Sequence, residues 1–262
     1  KPIRKLRGAL RDVAAGRLET RVMQDMDGRR DELADLGRDF DAMAQQIDGL
    51  VGAQRRLFHD VSHELRSPLA RLQAAIGLAR RSPERVDAML DRLETEAARL
   101  DELVGEILTL ARLDSGSGMT RSEVFDVMAL LEAVVEDARF EAQARGCDLA
   151  YRGGAHAACK GQPDLIGRAF ENVIRNAIKY TNEETMVEVE SRLDAAGNIH
   201  VVVLDRGPGV SDSDLEAIFE PFYRVRGASE RQGCVGLGLS LARRIAQRHD
   251  ASLDCRPREG GG

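Results

Sequence analysis

The spacing of apolar residues in the first part of the chain constrains its fold more than any other feature. Between positions 3 and 111, apolar residues recur at alternating intervals of three and four. This spacing lines them up on one side of an α-helix, as in the seam of a coiled coil. A short helix with one apolar stripe needs another helix to cover it, so the pattern predicts helix pairing, most simply with a second copy of the chain. An ordinary coiled coil would account for the same spacing. The four stripes cover residues 3–13, 33–50, 61–76 and 86–111.

Turn and cap residues divide this part of the chain into helices. An irregular connector follows Gly16, and acidic residues at Asp31-Glu32 favour the start of a second helix. We predict that this helix continues through Leu57 to a turn at Pro83, and that a return helix runs to a flexible linker at residues 114–118. Two copies of such a helical hairpin would form a four-helix bundle.

One histidine stands apart from the apolar stripe of its helix. At about 100° per residue, His63 lies roughly 160° from the stripe that includes Val61 and Leu65. The pattern therefore predicts an imidazole held out to solvent, next to Glu64, with a bend at Pro68. This arrangement suits a nucleophile, but it is equally typical of a solvated helix face. A metal pair with His59 is a weaker alternative, because no third ligand stands at a recognisable spacing.

The bulk properties exclude several classes of protein. The 262 residues suffice for two or three modules, and the net charge of −6 argues against a nucleic-acid-binding surface. The four cysteines include no Cys-x-x-Cys pair, which predicts reduced thiols in place of disulfides or a zinc site. No apolar run is long enough to span a bilayer. Because the sequence begins at Lys1 without an initiator Met, we interpret it as a fragment.

The second half of the chain has a mixed α/β pattern. We predict strands at 123–126, 147–151, 157–161, 185–193, 199–205 and 251–256, with helices ending at Gly146, covering 163–180 and covering 236–249. Residues 194–198 form the turn of a hairpin. This order favours helices layered on one face of a mixed sheet.

Polar side chains share one face of the predicted helix at 163–180. Asn172, Asn176, Lys179 and Tyr180 are spaced by one and two helical turns. Asn oxygens suit a hard cation and its waters, and Lys adds a charge for phosphate. A plain polar helix edge would explain the same residues.

Two glycine-rich stretches and an aromatic one lie further along. Asp205 ends an apolar strand and precedes Gly207 and Gly209, so its carboxylate could accept a hydrogen bond from a base, although a plain turn is also typical there. Residues 233–239 open a helix whose free N–H groups suit phosphate. Between them, the aromatic stretch 219–224 precedes a polar segment, 225–232, that we interpret as a lid with Arg224 or Arg226 available to phosphate.

These stretches, in this order, resemble the motifs of the two-component sensor histidine kinases. Residues 62–69 are similar to the H box, 172–180 to the N box, 205–209 to the G1 box, 219–224 to the F box and 233–239 to the G2 box. The opening helices resemble a HAMP relay, with Pro2 and Asp31-Glu32 at its usual positions. Residues 94–101 and 140–143 are similar to the Cpx-type envelope-stress sensors.

The resemblance implies a multidomain fold. It consists of an all-α HAMP coiled coil at 1–54 and a dimeric helical hairpin for dimerisation and histidine phosphotransfer at 55–117, which makes a four-helix bundle. An α/β sandwich of the Bergerat (GHKL) ATP-binding type at 118–262 would follow, without the family's last strand. The chain would be a homodimer and the cytoplasmic portion of a bacterial inner-membrane protein anchored upstream of Lys1.

The resemblance also implies a site. ATP would bind with Asp205 on the adenine amino group, and Mg²⁺ with Asn176 and Asn172. Gly207 and Gly209 would let the backbone approach the flat base. The phosphates would be held by Lys179, Tyr180 and Arg224 and by the glycine-rich loop, which includes Gly236, Leu237, Gly238 and Leu239. His63 would attack the γ-phosphorus with Glu64 as base, and the phosphoryl group would pass to an aspartate of a response regulator receiver domain.

Some residues depart from the family pattern. Ser67 stands where Thr is usual; it would position a water for dephosphorylating the regulator, with reduced or unchanged activity. Cys234-Val235 replaces Gly-Thr, and we expect an effect on lid flexibility more than on phosphate contacts. Two alternatives remain. A GHKL ATPase would carry Glu in place of Asn172, and a non-catalytic dimeric scaffold would not bind ATP.

Overall fold

A computed structural model describes residues 2–23, 32–82, 85–114, 122–154, 156–225 and 235–258. The chain divides into two compact units, residues 1–67 and 68–262. Several predicted features lie outside the described residues, namely Asp31, Pro83, the linker at 115–118, Arg226, most of the lid, and Cys234.

The first unit is built from two helices and the connector that follows the first. Helix α1 covers Pro2–Ala14, and helix α2 begins at Glu32. The Asp41 carboxylate accepts hydrogen bonds from the backbone N–H groups of Val22 and Met23, at 2.7 and 3.0 Å, which fixes the connector against α2. A small apolar cluster forms beneath it from Ala9, Val22, Phe40 and Ala44. Much of the predicted seam remains exposed, including Ile3, Leu10, Leu36, Met43 and Leu50.

Helix α2 has the length that its start and turn signals predict. It runs without interruption from Glu32 to Arg81, a length of 50 residues, and Pro68 lies inside it. The prediction that the second stripe continues into the third is therefore confirmed, whereas the bend at Pro68 stays a prediction. None of the described helices combines the length and the apolarity that crossing a membrane would require.

The second unit begins with the last part of α2 and with helix α3, which covers Val86–Asp114. Arg71 of α2 bonds Glu96 of α3 at 2.9 Å, and this ion pair holds the pKa of Glu96 below its ordinary value. Within one chain no member of the two predicted stripes is buried, and Leu69, Ile76, Leu90 and Val104 are exposed. The apolar residues that are buried here lie beside the stripes, namely Ala75, Met89, Leu103 and Leu110.

The α/β part follows the predicted order of elements. Its elements are β1 Glu123–Asp126, α4 Val127–Ala144, β2 Asp148–Arg152, β3 Ala158–Gly161, α5 Pro163–Tyr180, β4 Met186–Leu193, β5 Ile199–Leu204, a short 3₁₀ turn at Ala217–Phe219, and α6 Gly238–Arg248. Strand β2 pairs with β4 in parallel, and β4 pairs with β5 antiparallel. Strands β1 and β3 form a separate antiparallel pair, so the described strands make two sheets where one was predicted.

Helices α4 and α5 cover one face of the three-stranded sheet, as predicted. The core between them is built from alternating residues of β4 and from one side of each helix. Leu131, Ile174, Val187 and Val189 are all fully buried there. Asp126 caps α4 by accepting the N–H groups of Met128 and Ala129. The three described cysteines, Cys147, Cys159 and Cys255, are free thiols.

The predicted strand at 251–256 is wrong. These residues form no strand, and the described sheet ends at β5. A strand needs a ladder of backbone hydrogen bonds to a neighbour, and no described strand pairs with these residues. The segment is held instead by a side chain, because Arg258 donates to Glu188 at 2.5 Å and to the carbonyl of Asp205 at 3.4 Å.

Candidate functional site

Helix α5 forms one wall of the candidate site. Its inner face, with Ile174, Ala177 and Ile178, is buried in the core. The helix therefore leaves its polar side at the edge of the domain, where the predicted side chains are all half-buried. These are Asn172, Asn176, Lys179 and Tyr180. The Lys179 ammonium lies 5.7 Å from the centre of the Tyr180 ring, within the range of a cation–π contact.

The loop that follows β5 lies against the carboxyl end of α5. A Cβ built on Gly207 would lie 2.5 Å from the carbonyl oxygen of Tyr180, so only glycine allows this approach. The Gly207 N–H donates to Oδ1 of Asp205 at 2.8 Å, which orients the carboxylate. Gly209 adopts a positive φ of 74° and turns the chain away. The structure thus brings Asp205 and Tyr180 to the same end of the site.

The loop before α6 lies against the middle of α5. A Cβ on Gly238 would lie 3.3 Å from Oδ1 of Asn172, so this amide oxygen faces the start of α6. Leu237 is 1% exposed, so its side chain belongs to the core and only its backbone is available to a phosphate. Leu239 is half-buried. The first turn of α6 carries no side-chain cap, so its N–H groups are suited to an anion.

The aromatic stretch packs beside this loop. Gly236, with φ of 80°, leaves no room for a Cβ, which would lie 2.7 Å from the carbonyl of Tyr223. The Phe222 N–H donates to the carbonyl of Gly236 at 2.9 Å. Phe219 is buried beneath the guanidinium of Arg243, 4.7 Å from the ring centre. Arg224 is exposed at the end of the stretch, and residues 226–234 lie outside the described residues.

His63 lies in the first unit, and its ring is exposed on α2 as predicted. The ring centre lies 4.5 Å from that of His59, one turn earlier. Glu64 is half-buried and Ser67 is exposed. Among the described residues, no group of three or more His, Cys, Asp or Glu could hold a metal ion, so the alternative of a metal site at His59 and His63 finds no support there.

The residues of the second unit fit a nucleotide with a hard cation. The amide oxygen of Asn172 faces the start of α6, whose backbone approaches closely because Gly238 has no side chain. Amide oxygens are suitable ligands for Mg²⁺, and helix N-termini are suitable for phosphate. Asp205 lies by the carboxyl end of α5, where its carboxylate can accept a hydrogen bond.

Two features of the site were not predicted from the sequence. Thr181 and Asn182, which directly follow α5, contact the backbone of Arg206 beside Asp205. A Thr-Asn pair after a helix was the available signal, since both side chains readily bond to backbone. The second feature is Glu106 of α3, whose pKa is raised to about 7 by burial and by Glu102. Neighbouring Thr109 accepts a hydrogen bond from Arg168 of α5 at 2.8 Å, so α3 contacts α5 directly.

Three family models match successive parts of the chain. The HAMP domain model matches residues 1–49, and the His Kinase A (phospho-acceptor) domain model matches residues 53–116. The model described as histidine kinase-, DNA gyrase B-, and HSP90-like ATPase matches residues 161–262. The exposed His63 lies within the second match, and α5 and the loop before α6 lie within the third.

Individual proteins show the same similarity. The sensor histidine kinase CpxA of Escherichia coli strain K12 is 38% identical over 253 residues, which cover 95% of this chain and 53% of CpxA. The chain spans about half the length of the curated relatives that it matches first. Among solved structures, histidine kinase ThkA in complex with response regulator protein TrrA matches with a TM-score of 0.64 and 21% identity, over 82% of this chain and 61% of that one.

A further solved structure is full-length ShkA in complex with AMPPNP, with a TM-score of 0.52 and 25% identity, over 73% of this chain and 40% of that one. The likeness to ThkA shows the fold alone. The order of the three family matches and the identity to CpxA show more: this chain belongs to the sensor histidine kinases, with matches to a HAMP, a His Kinase A and a histidine kinase-like ATPase domain, and it resembles the Cpx-type sensors.

Proposed function

We propose that the chain is an ATP-dependent protein-histidine kinase that phosphorylates His63 and passes the phosphoryl group to an aspartate of a response regulator. The observation that carries this proposal is the arrangement around α5. There Gly238 packs against Asn172 in the middle of the helix and Gly207 packs against Tyr180 at its carboxyl end, so the proposed phosphate-binding and base-binding groups line one helix. An exposed histidine within the phospho-acceptor match provides the second substrate.

The bound nucleotide would be ATP with Mg²⁺. Asp205 would accept a hydrogen bond from the adenine amino group, and Asn172 and Asn176 would hold the metal, which neutralises charge on the phosphates. Lys179, Tyr180 and Arg224 would contact the phosphates together with the backbone around Gly236, Gly238 and Leu239, and Gly207 and Gly209 would let the backbone approach the base. AMPPNP, an ATP analogue, is bound to ShkA, a protein with a similar fold.

The transfer step uses the residues of α2. A ring nitrogen of His63 bonds to the γ-phosphorus while the bond from that phosphorus to the β,γ-bridging oxygen breaks, and ADP leaves. Glu64 takes up the proton from the other ring nitrogen, which makes the imidazole a better nucleophile. In the proposed phosphatase reaction, Ser67 would position a water that dephosphorylates the regulator. The complex of ThkA with TrrA supports a response regulator as partner.

We also propose that the chain works as a homodimer. The exposed seam residues of the first unit and of the helical hairpin are too apolar for a solvated surface. Sedimentation equilibrium should return the mass of two chains, and a monomer at micromolar concentration would overturn this part.

The domain boundaries would be 1–54, 55–117 and 118–262, and the parent protein would be anchored in the inner membrane upstream of Lys1.

Nucleotide titration tests the proposed binding site. With Mg²⁺ present, the wild type should bind ATP, and Asn176→Ala should weaken binding by about tenfold or more, since it removes an oxygen ligand. Gln143→Ala on α4 provides a control for loss of an amide distant from α5. Equal affinity of wild type and Asn176→Ala would contradict the assigned role, and absence of ATP binding would favour the scaffold. Rapid ATP hydrolysis without protein labelling would favour the ATPase.

A further inference from the structure

The loop that carries Asp205 is held by two side chains that no motif of the site includes. Thr181 and Asn182 directly follow Tyr180, the last residue of α5. The N–H of Arg206 donates to Oγ1 of Thr181 at 3.1 Å, and Nδ2 of Asn182 donates to the carbonyl of Arg206 at 2.5 Å. Consecutive side chains therefore bind both backbone polar groups of the residue next to Asp205.

The direction of these hydrogen bonds follows from the number of available hydrogens. The Thr185 hydroxyl donates its single hydrogen to the carbonyl of Asn182 at 2.6 Å. It must then accept in its 2.7 Å contact with Thr181, so Thr181 is the donor there. The Thr181 oxygen keeps its lone pairs for the Arg206 N–H. The two threonines thus form a short relay that fixes the Thr181 hydroxyl as an acceptor toward the loop.

The contact of Asn182 with the Arg206 carbonyl reaches the Asp205 carboxylate through one peptide unit, and Thr181 binds the peptide unit before it, through the Arg206 N–H. The peptide between Arg206 and Gly207 has its carbonyl bound by Asn182 and its N–H bound by Oδ1 of Asp205, at 2.8 Å. A shift of this peptide would therefore rotate or release the carboxylate. Close packing of Gly207 on the carbonyl of Tyr180 leaves the loop little space to settle elsewhere on α5.

We propose that Thr181 and Asn182 are positioning residues that aim the Asp205 carboxylate at the exocyclic amino group of adenine, and so set the base selectivity of the site. This inference rests on the proposed function, because it assumes that Asp205 reads the base. Neither residue touches the nucleotide in this account. Their effect is confined to the direction of one hydrogen-bond acceptor.

The test compares ATP with purine riboside triphosphate, which lacks the amino group. Affinities of both nucleotides are measured by calorimetry with Mg²⁺ for the wild type, Thr181→Val, Thr181→Ser and Asn182→Ala. The wild type should prefer ATP by about tenfold or more, the value of one hydrogen bond to a charged group. In Thr181→Val, which keeps the shape but loses the hydroxyl, the preference should fall by about fivefold, mainly through weaker ATP binding. Thr181→Ser should restore it.

The ratio of affinities separates positioning from general damage to the fold. A purely structural loss would weaken both nucleotides equally and leave the preference unchanged. Asn182 is exposed, so Asn182→Ala carries the test if Thr181→Val does not fold. An unchanged preference in the folded variants, with normal preference in the wild type, would overturn this inference alone. A wild type that binds both nucleotides equally would overturn the base-binding role of Asp205 and the inference with it.

Discussion

At Gly207, the carbonyl oxygen of Tyr180 occupies the space that a side chain would need. A Cβ there would lie 2.5 Å from that oxygen and 2.9 Å from Oδ1 of Asp205. The first atom belongs to the backbone at the end of α5 and cannot move without disturbing the helix end. The loop itself would have to shift, and the hydrogen bond from Gly207 to Asp205 would shift with it.

Substitution of Gly207 by Ala should therefore weaken the site and the fold together. We expect a loss of about 1–3 kcal/mol in unfolding free energy and about tenfold or more in ATP affinity. Gly105→Ala is the matched control, because nothing lies within 4 Å of its added Cβ. In helix α3 that change should be neutral or stabilising by up to about 1 kcal/mol. Chemical denaturation and nucleotide titration of both variants measure this, and equal behaviour of the two would contradict the steric account.

At the scale of the elements, the contact between α3 and α5 combines buried and charged groups. Thr109 is 8% exposed and bonds Arg168, while Arg175 of α5 lies 3.6 Å from Glu102 and 3.3 Å from Glu141. Glu106 lies in this contact. Desolvation and the Glu102 charge raise its pKa, and Arg175 and Arg168 only partly offset them.

This gives stability a pH dependence of known sign. The pKa of Glu106 is about 7 in the folded chain and near its ordinary 4.5 when unfolded, so folding takes up a proton between these values. The free energy of unfolding should fall as pH rises from about 4.5 to 7. Above pH 7 the folded chain should carry the full cost of an ionised, buried Glu106. Glu106→Gln carries no charge and should be more stable than the wild type at pH 8.5, by roughly 1 to 3 kcal/mol. At pH 5 the difference should fall to about a quarter of that value.

Unfolding curves of both proteins at pH 5 and 8.5 measure this difference, and the comparison cancels other titrating groups. Glu94→Gln, an exposed residue of the same helix, controls for general loss of a negative charge. A Glu106→Gln advantage that is the same at both pH values would contradict the assignment.

The elements themselves were largely predictable where local signals decide them. Strand β1 and helix α5 begin and end at the predicted residues, because the apolar pair Val124-Phe125 marks the first and Pro163 opens an amphipathic stripe in the second. The strand at 251–256 failed because a strand exists only through a partner that is distant in sequence. The contacts of Thr109 with Arg168 and of Thr181 with Arg206 were missed for the same reason: they join residues 59 and 25 positions apart.

At the scale of the whole molecule, the residues of the proposed reaction belong to both units. The proposed phosphate acceptor, His63, lies on helix α2 in the first unit, and the proposed nucleotide-binding residues lie in the second. Helix α2 joins the HAMP match to the acceptor match without a break, so a change in the first helices has a rigid element along which to reach His63.

The central claim is that His63 accepts the phosphoryl group from ATP, and γ-labelled ATP with Mg²⁺ tests it most directly. The wild type is compared with His63→Gln and with His59→Gln. His59 is the matched control, because its ring lies one turn from His63, with 4.5 Å between the ring centres. We predict acid-labile, alkali-stable label on the wild type and on His59→Gln, and none on His63→Gln. Label that persists in His63→Gln, or no label on a wild type that binds ATP, would contradict the account.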